Sequence, residues 1–452
     1  MVNKNVDYVV DIAGTTHEGN GVGKIDGFTV FVEGALPEEK VKIKIVKVNK
    51  SFAHGKLIEI LNPSPNRATP FCPIFKKCGG CTLQHMTYEE QLSFKTRVVK
   101  DTLERIGKCK SITVHDAIGM DEPYNYRNKV QFPVGTEKDS PVIGFYSKRS
   151  HRIVETPVCK IQHEIADSIR EKIKELIIKY ELTTYNEETG IGLVRHLTIR
   201  SSKKSDQVLV VFVINGKALP NSKEIANELV EAFPQISSIT VNINQEKTNV
   251  ILGDRNINIY GTDKITDYIE DLSFQISPLS FFQVNPVQTE VLYRKALEYA
   301  ALTGTETVFD LYCGIGTITI FLAKKAKKVY GVEVVRSAIA DAKQNAINNG
   351  INNIDFFAGE AEKVIPILYG DGISADVVVV DPPRKGCEEK LLDTLVKMAP
   401  KRIVYVSCNP STLARDVNYL EARGFVATEV QPVDMFPWTA HVETVLLLEQ
   451  KN

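Results

Sequence analysis

No apolar run in the 452-residue sequence is long enough to cross a bilayer, which argues against a helical membrane protein. Residues 1–7 lack the basic-then-apolar layout of a signal peptide, so a cytoplasmic location is expected. There the eight cysteines are expected as reduced thiols or metal ligands rather than disulfides. An excess of one charge is also missing. With 55 Lys/Arg against 56 Asp/Glu the net charge is −1, which argues against a globally basic nucleic-acid binder. Internal repeats and low-complexity tracts are absent too. What is present, 43% hydrophobic and 25% charged residues, describes a chain of two or three globular domains.

Charge is nonetheless uneven. Between Asn62 and Lys110 nine Lys/Arg stand against four acids, and such a stretch is expected to meet phosphates. Residues 1–61 read as a small β module, with short alternating stretches broken by turn residues. In Lys40-Val41-Lys42-Ile43-Lys44-Ile45 the period of two sets three lysines on one face and three aliphatics on the other. Five such strands closing on themselves make an OB-like barrel, a shape that often binds oligonucleotides. Residues 62–265 read as an α+β domain holding a cysteine segment. Helices are expected over 165–179 and 222–233, and strands over 208–214 and 238–243. From residue 266 to 452 strand and helix alternate, with strands expected at 307–311, 328–332, 354–357, 377–380 and 403–407. Near-continuous runs such as Val377-Val378-Val379-Val380 suit a parallel sheet buried on both faces, so this domain reads as Rossmann-like α/β.

Asp310-Leu311-Tyr312-Cys313-Gly314-Ile315-Gly316 sits between an expected strand and an expected helix, where such folds cradle nucleotides. Glu333 ends the next strand, where an acid takes ribose hydroxyls. Two glycines rather than the full dinucleotide fingerprint favour S-adenosylmethionine over a nicotinamide cofactor. Asp381-Pro382-Pro383-Arg384 follows the four valines, and its prolines aim Asp381 into the cleft. Amine methyltransferases often carry Asn/Asp-Pro-Pro-aromatic there. Arg384 in place of the aromatic argues against an exocyclic amine as acceptor.

Cys408 opens a turn after Val404-Tyr405-Val406-Ser407, where turn amides are expected to favour the thiolate. Glu443 begins another apolar run and is expected as a partly buried proton acceptor. Uracil C5 is too weak a nucleophile to take a methyl group unaided. A thiolate adding to C6 activates it, and a base must then remove the C5 proton. A nucleotide cradle, one thiol and one late carboxylate therefore point to methyl transfer onto a carbon of an RNA base. Cys313 and Cys387 are assigned to packing; Cys109 has no motif around it. Cys72-x5-Cys78-x2-Cys81, with Cys159 as a fourth sulfur, suits either a [4Fe–4S] cluster or zinc.

Together these residues resemble the RNA uracil-5 methyltransferase family that carries an N-terminal TRAM domain. Gly21-Val22-Gly23-Lys24 through Glu33-Gly34-Ala35-Leu36-Pro37 is similar to the TRAM barrel. Tyr126-Arg127-Asn128-Lys129 and Phe281-Phe282-Gln283-Val284-Asn285 also match, as does Ser-Cys-Asn-Pro-x-Thr-x-Ala-Arg-Asp around Cys408. The resemblance implies that Gln283, Tyr312, Gly314, Glu333 and Asp381 hold S-adenosylmethionine. It makes Cys408 the nucleophile and Glu443 the base. It places Cys72, Cys78, Cys81 and Cys159 on iron–sulfur ligands, which tips the metal toward [4Fe–4S]. A TRAM barrel with the full cysteine set is more like the ribosomal branch, so 5-methyluridine formation in 23S ribosomal RNA is expected, by a monomer. The alternatives are a transfer-RNA uracil-5 methyltransferase and a non-catalytic iron–sulfur RNA-binding protein.

Overall fold

A computed structural model describes residues 2–451; Met1 and Asn452, the outermost residues of the first and last expected domains, lie outside them. Strands Asp7–Thr15, Gly21–Ile25, Phe28–Glu33, Lys40–Val48 and Phe52–Asn62 form a closed barrel, ordered first, second, third, fifth, fourth. The alternation read from the lysine-rich strand holds. Val41, Ile43 and Ile45 are fully buried, while the lysines between them face outward.

The central sheet has six strands, in the order Arg255–Gly261, Ile236–Ile243, Gln207–Ile214, Val194–Ser202, Lys129–Glu137, Ser140–Ile143. Helices Glu164–Lys179 and Ser222–Ala232 cover one face, the second making the crossover between the parallel pair Gln207–Ile214 and Ile236–Ile243. The period of two divides Gln207–Ile214 between two cores. Val208, Val210, Phe212 and Ile214 pack under those helices. Leu209, Val211 and Val213 pack into the core of the C-terminal sheet. A strand with no polar face thereby joins two domains.

The C-terminal sheet has eight strands, in the order Ile354–Ala358, Lys328–Glu333, Thr307–Leu311, Val377–Val380, Arg402–Ser407, Glu443–Gln450, Phe425–Val433, Thr113–Val114. The first five are parallel, as their valine-rich sequences imply, and Glu443–Gln450 runs antiparallel to both neighbours. Strand order reverses between Thr307–Leu311 and Val377–Val380, and ligands of such sheets bind at the carboxyl ends beside that point.

Two elements depart from the sequence reading. The short strand Thr113–Val114 and the helix Tyr88–Thr102 come from the cysteine-bearing segment, yet both pack on the C-terminal domain. The helix is fixed by Lys95, which is fully buried and paired with the equally buried Asp434. Asp434 also accepts the Tyr88 hydroxyl at 2.8 Å, and the Lys95 ammonium donates to the Phe436 carbonyl at 3.1 Å.

Lys95 is therefore not available to a phosphate, while Lys76, Lys77, Lys100, Lys108 and Lys110 of the same basic stretch stay exposed. Arg67 is likewise consumed internally: it donates to buried Glu39 at 2.5 and 2.7 Å and to the Gly34 carbonyl at 2.7 Å, tying the linker to the barrel. Arg97 pairs with Glu90 at 2.6 Å and Arg105 with Asp101 at 3.4 Å. Among the described residues, no helix is long and apolar enough to cross a membrane.

Candidate active site

The turn Tyr312–Gly316 leaves the first strand of the parallel sheet. Tyr312 and Gly314 have positive φ, 69° and 55°, so the chain reverses within a few residues. A side chain at Gly314 would meet nothing within 4 Å, so open space lies over this backbone, as a ligand cradle requires. The Tyr312 and Cys313 amides donate to the Val332 carbonyl at 2.9 and 3.0 Å. Glu333, at the end of that neighbouring strand, accepts the Gly314 amide at 3.2 Å and the Val335 amide at 2.9 Å. Tyr312 donates its hydroxyl to Glu362 at 2.6 Å, a partner the sequence reading missed. Asp310 is fully buried beneath the turn. One of its oxygens takes the Thr319 hydroxyl at 2.5 Å and the other has no partner. Burial pushes its carboxyl up to about 7.

Asp381 lies at the end of the adjacent strand, its amide bonded to the Leu311 carbonyl at 3.3 Å, and burial pushes it to about 7 as well. Gln283 is buried in the segment leading into the helix Pro286–Ala300. Its carbonyl accepts the Asn128 side-chain amide at 3.1 Å, which joins the two familiar motifs, Tyr126–Lys129 and Phe281–Asn285. The same helix reaches the cradle through Tyr293, whose hydroxyl meets that of Thr317 at 2.7 Å.

Strand register brings the thiol and the late carboxylate together. Ser407 pairs with Thr444 across antiparallel neighbours, so Cys408 and Glu443, one step beyond each, emerge at the same end. Glu443 is buried rather than partly exposed, and burial followed by the Asp381 charge drives its carboxyl well above the ordinary range. Cys408 is half-buried. Its thiol is pushed up to about 11, first by burial, then by Glu443 and Asp381, with Arg384 opposing. The expectation that turn amides hold a thiolate is therefore corrected: desolvation and two carboxyl groups outweigh them.

The residues after Cys408 grip the loop after Asp381. Asn409 donates to the Arg384 carbonyl at 3.0 Å and Thr412 to the same oxygen at 3.2 Å. Arg415 donates to the carbonyls of Lys385 and Cys387 at 3.0 and 3.2 Å. Asp416 accepts the Cys387 amide at 2.8 Å and the Tyr405 hydroxyl at 2.6 Å. Gly386, at φ 78°, holds a backbone conformation that favours glycine, and a Cβ there would press on the Arg415 and Asp416 side chains. The long motif thus fixes where Arg384 stands relative to Cys408. Cys387 and Cys109 are buried in an apolar cluster, and Cys313 is buried within the cofactor turn.

Cys408 opens onto a cleft of about 760 Å³ whose far wall is the barrel, through His17–Asn20 and Glu33–Gly34. Gly79, Gly80 and residues 145–149 form a further side, and Arg384 and His441 flank the thiol. Cys72, Cys78, Cys81 and Cys159 line one small, largely apolar cavity of about 40 Å³ with Phe71, Ile74 and Phe75. Burial pushes Cys81 up to about 12 and Cys159 to about 11, with neighbouring thiols adding to each. Among the described residues, no three His, Cys, Asp or Glu side chains form a group that could hold a single metal ion. The expected ligand set for a [4Fe–4S] cluster or zinc is thus not found as a metal-holding group; the four cysteines line one cavity.

A switch-point cradle with acids at successive strand ends defines an S-adenosylmethionine-dependent methyltransferase. The profile of the tRNA (Uracil-5-)-methyltransferase family matches residues 87–451, and that of the TRAM domain matches residues 7–58. An uncharacterized RNA methyltransferase of Clostridium tetani is 53% identical over 447 residues, covering 99% of this chain and 97% of that protein. One from Halalkalibacterium halodurans is 51% identical over 451 residues, covering 100% and 98%. A crystal structure of the Pyrococcus abyssi tRNA (uracil-54, C5)-methyltransferase with S-adenosyl-L-homocysteine superposes with a TM-score of 0.79. It is 29% identical, with 97% of this chain and 99% of that one covered. The chain belongs to the TRAM-containing RNA uracil-5 methyltransferase family.

Proposed function

We propose that this RNA uracil-5 methyltransferase works through a covalent adduct between Cys408 and C6 of the target uridine, with Glu443 as the base. The observation that carries this reading is the Ser407–Thr444 register, which brings buried Glu443 beside Cys408, the thiol that lines the cleft. S-adenosylmethionine, held by Gln283, Tyr312, Gly314, Glu333 and Asp381, supplies an electrophilic methyl group.

The chain's own work is to generate a thiolate, then to accept a proton. The Cys408 thiolate forms the S–C6 bond, and the displaced electron pair becomes an enolate across C4–C5. Once C5 carries the methyl group it still holds its original hydrogen. Glu443 accepts that proton, the C5–C6 double bond re-forms, and the S–C6 bond breaks to release the thiolate. Arg384, whose charge opposes the rise of the Cys408 thiol, favours its ionised form. Because sulfur must reach C6, the uridine has to leave its stack or lie in a loop.

The substrate proposed is large-subunit, 23S-type ribosomal RNA, supported by the barrel and the four-cysteine set in one chain. A second reading, transfer RNA, is favoured by the name of the Pyrococcus abyssi structural relative. Incubation with labelled S-adenosylmethionine and unmodified transcripts of each RNA decides between them by where 5-methyluridine appears. Label on neither RNA refutes both readings.

For the four cysteines the proposed occupant is a [4Fe–4S] cluster. The family resemblance and four cysteines lining one largely apolar cavity support this occupant. The raised thiols also need a cation nearby before they ionise. Iron and acid-labile sulfide in anaerobically purified protein, both lost in Cys72→Ser, test this; stoichiometric zinc instead overturns it.

A further inference from the structure

A second cavity, of about 390 Å³, opens on the central domain, lined by Tyr146, His151, Tyr185, Glu187, Arg195, His196 and residues 247–251. It shares Tyr146 with the cleft that holds Cys408, so that side chain stands between the two. We infer that this cavity takes a further nucleotide of the same RNA strand, outside the uridine that is methylated. The inference rests on the reading of RNA as the molecule held at Cys408.

A backbone irregularity builds the site. The register of Val194–Ser202 against Gln207–Ile214 shifts between Val194 and His196. In an unbroken strand Arg195 and His196 would point to opposite faces; at the shift both line the same cavity. Bulges that re-aim side chains in this way recur beside functional sites.

The chemistry on display matches a nucleotide. The Arg195 guanidinium lies over the Tyr185 ring, 4.6 Å from its centroid, a flat cation–aromatic platform of the kind that stacks bases. Arg195 is held there by bonds to the carbonyls of Asn244 and Glu246, at 2.6 and 2.9 Å, while its Nε has no partner. Tyr146 gives its hydroxyl hydrogen to Glu187 at 2.6 Å, and its oxygen faces His196 Nε2 at 3.3 Å. Nε2 therefore carries the ring proton, and Nδ1, also without a partner, is an acceptor. Burial pushes His196 down to about 4 and keeps it neutral. One unfilled donor and one unfilled acceptor on adjacent residues suit a base edge. Exposed Lys247 stands at the rim, where a phosphate passes, and exposed His151 holds Glu187 there at 2.5 Å.

The test uses the full-length protein with unmodified transcripts of 23S ribosomal RNA and transfer RNA, and reads retention of labelled RNA on filters. Lys247→Ala and His151→Ala alter exposed side chains away from Cys408. Each is expected to weaken binding of the RNA that wild type retains by about tenfold, the scale of one lost stack or phosphate contact. Turnover at saturating RNA stays at the wild-type rate. With 4-thiouridine-substituted RNA, ultraviolet light is expected to crosslink the peptide that carries Tyr185.

Unchanged affinity in both variants, or crosslinks confined to peptides of the Cys408 cleft, overturns the inference. Crosslinks at Tyr185 without 5-methyluridine in any RNA would sink the catalytic reading and leave this site standing. Failure of wild type to retain either RNA ends both.

Discussion

The Thr444 hydroxyl donates to the Ser407 carbonyl at 3.1 Å, across the point where two antiparallel strands leave the sheet together. That bond pins the ends from which Cys408 and Glu443 project. In the proposed mechanism addition and proton removal share this one edge, and separating the two roles is its sharpest test.

Glu443→Gln keeps the shape of the side chain and removes its ability to take a proton. An adduct between Cys408 and RNA is then expected to accumulate, seen as a band that survives denaturing electrophoresis. Cys408→Ala is expected to give no such band and no 5-methyluridine. A Glu443→Gln enzyme that turns over at the wild-type rate would remove the carboxylate from the mechanism.

Thiol reactivity should report the electrostatics of the cleft. With Cys408 pushed up to about 11, the thiolate fraction is small at neutral pH. Alkylation by iodoacetamide, followed by mass spectrometry of the Cys408 peptide, is expected to quicken roughly tenfold per pH unit above neutrality. Arg384→Ala removes an opposing charge and should slow the reaction further at a given pH. A flat profile between pH 7 and 9 would contradict the desolvated site.

Asp310 gives stability a definite pH dependence. Its folded-state carboxyl is raised from 3.8 to about 7, so the folded protein holds this proton where the unfolded chain has released it. Its contribution to stability is present below about pH 4 and declines as pH rises toward 7. Asp310→Asn is expected to flatten that decline, read as melting temperature across the interval. A decline equally steep in the variant would assign it elsewhere.

Lys95→Ala leaves Asp434 buried with the Tyr88 hydroxyl and no cation. Removing one partner of a buried pair costs about 3–5 kcal/mol, which urea titration should register as a lowered midpoint. The double variant Lys95→Met, Asp434→Leu should recover much of that loss. No recovery would mean that the hydrogen bonds, rather than the charges, hold the helix.

The C-terminal sheet was legible because its strands carry valine and isoleucine on both faces. Thr307–Leu311 and Val377–Val380 fall where the residues alone put them. The place of Cys408 at the end of a buried strand was legible from the apolar run before it. The mechanical role of the motif after it was not. That Asn409, Thr412, Arg415 and Asp416 clasp the loop at Arg384 is long-range pairing, which periodicity does not encode. Lys95 misled for the same reason: its partner is 339 residues away, so in sequence it is one more basic residue. The cavity behind Tyr146 was invisible because a single register shift, with no glycine or proline to mark it, makes it.

Strand Thr113–Val114 closes the outer edge of the C-terminal sheet through residues more than three hundred positions downstream, as the neighbouring contact between His115 and Glu429 shows with its separation of 314. A nascent chain therefore exposes this strand long before its mate is synthesised. The early segment must stay unpaired through most of translation, a window in which a holding chaperone has something to protect.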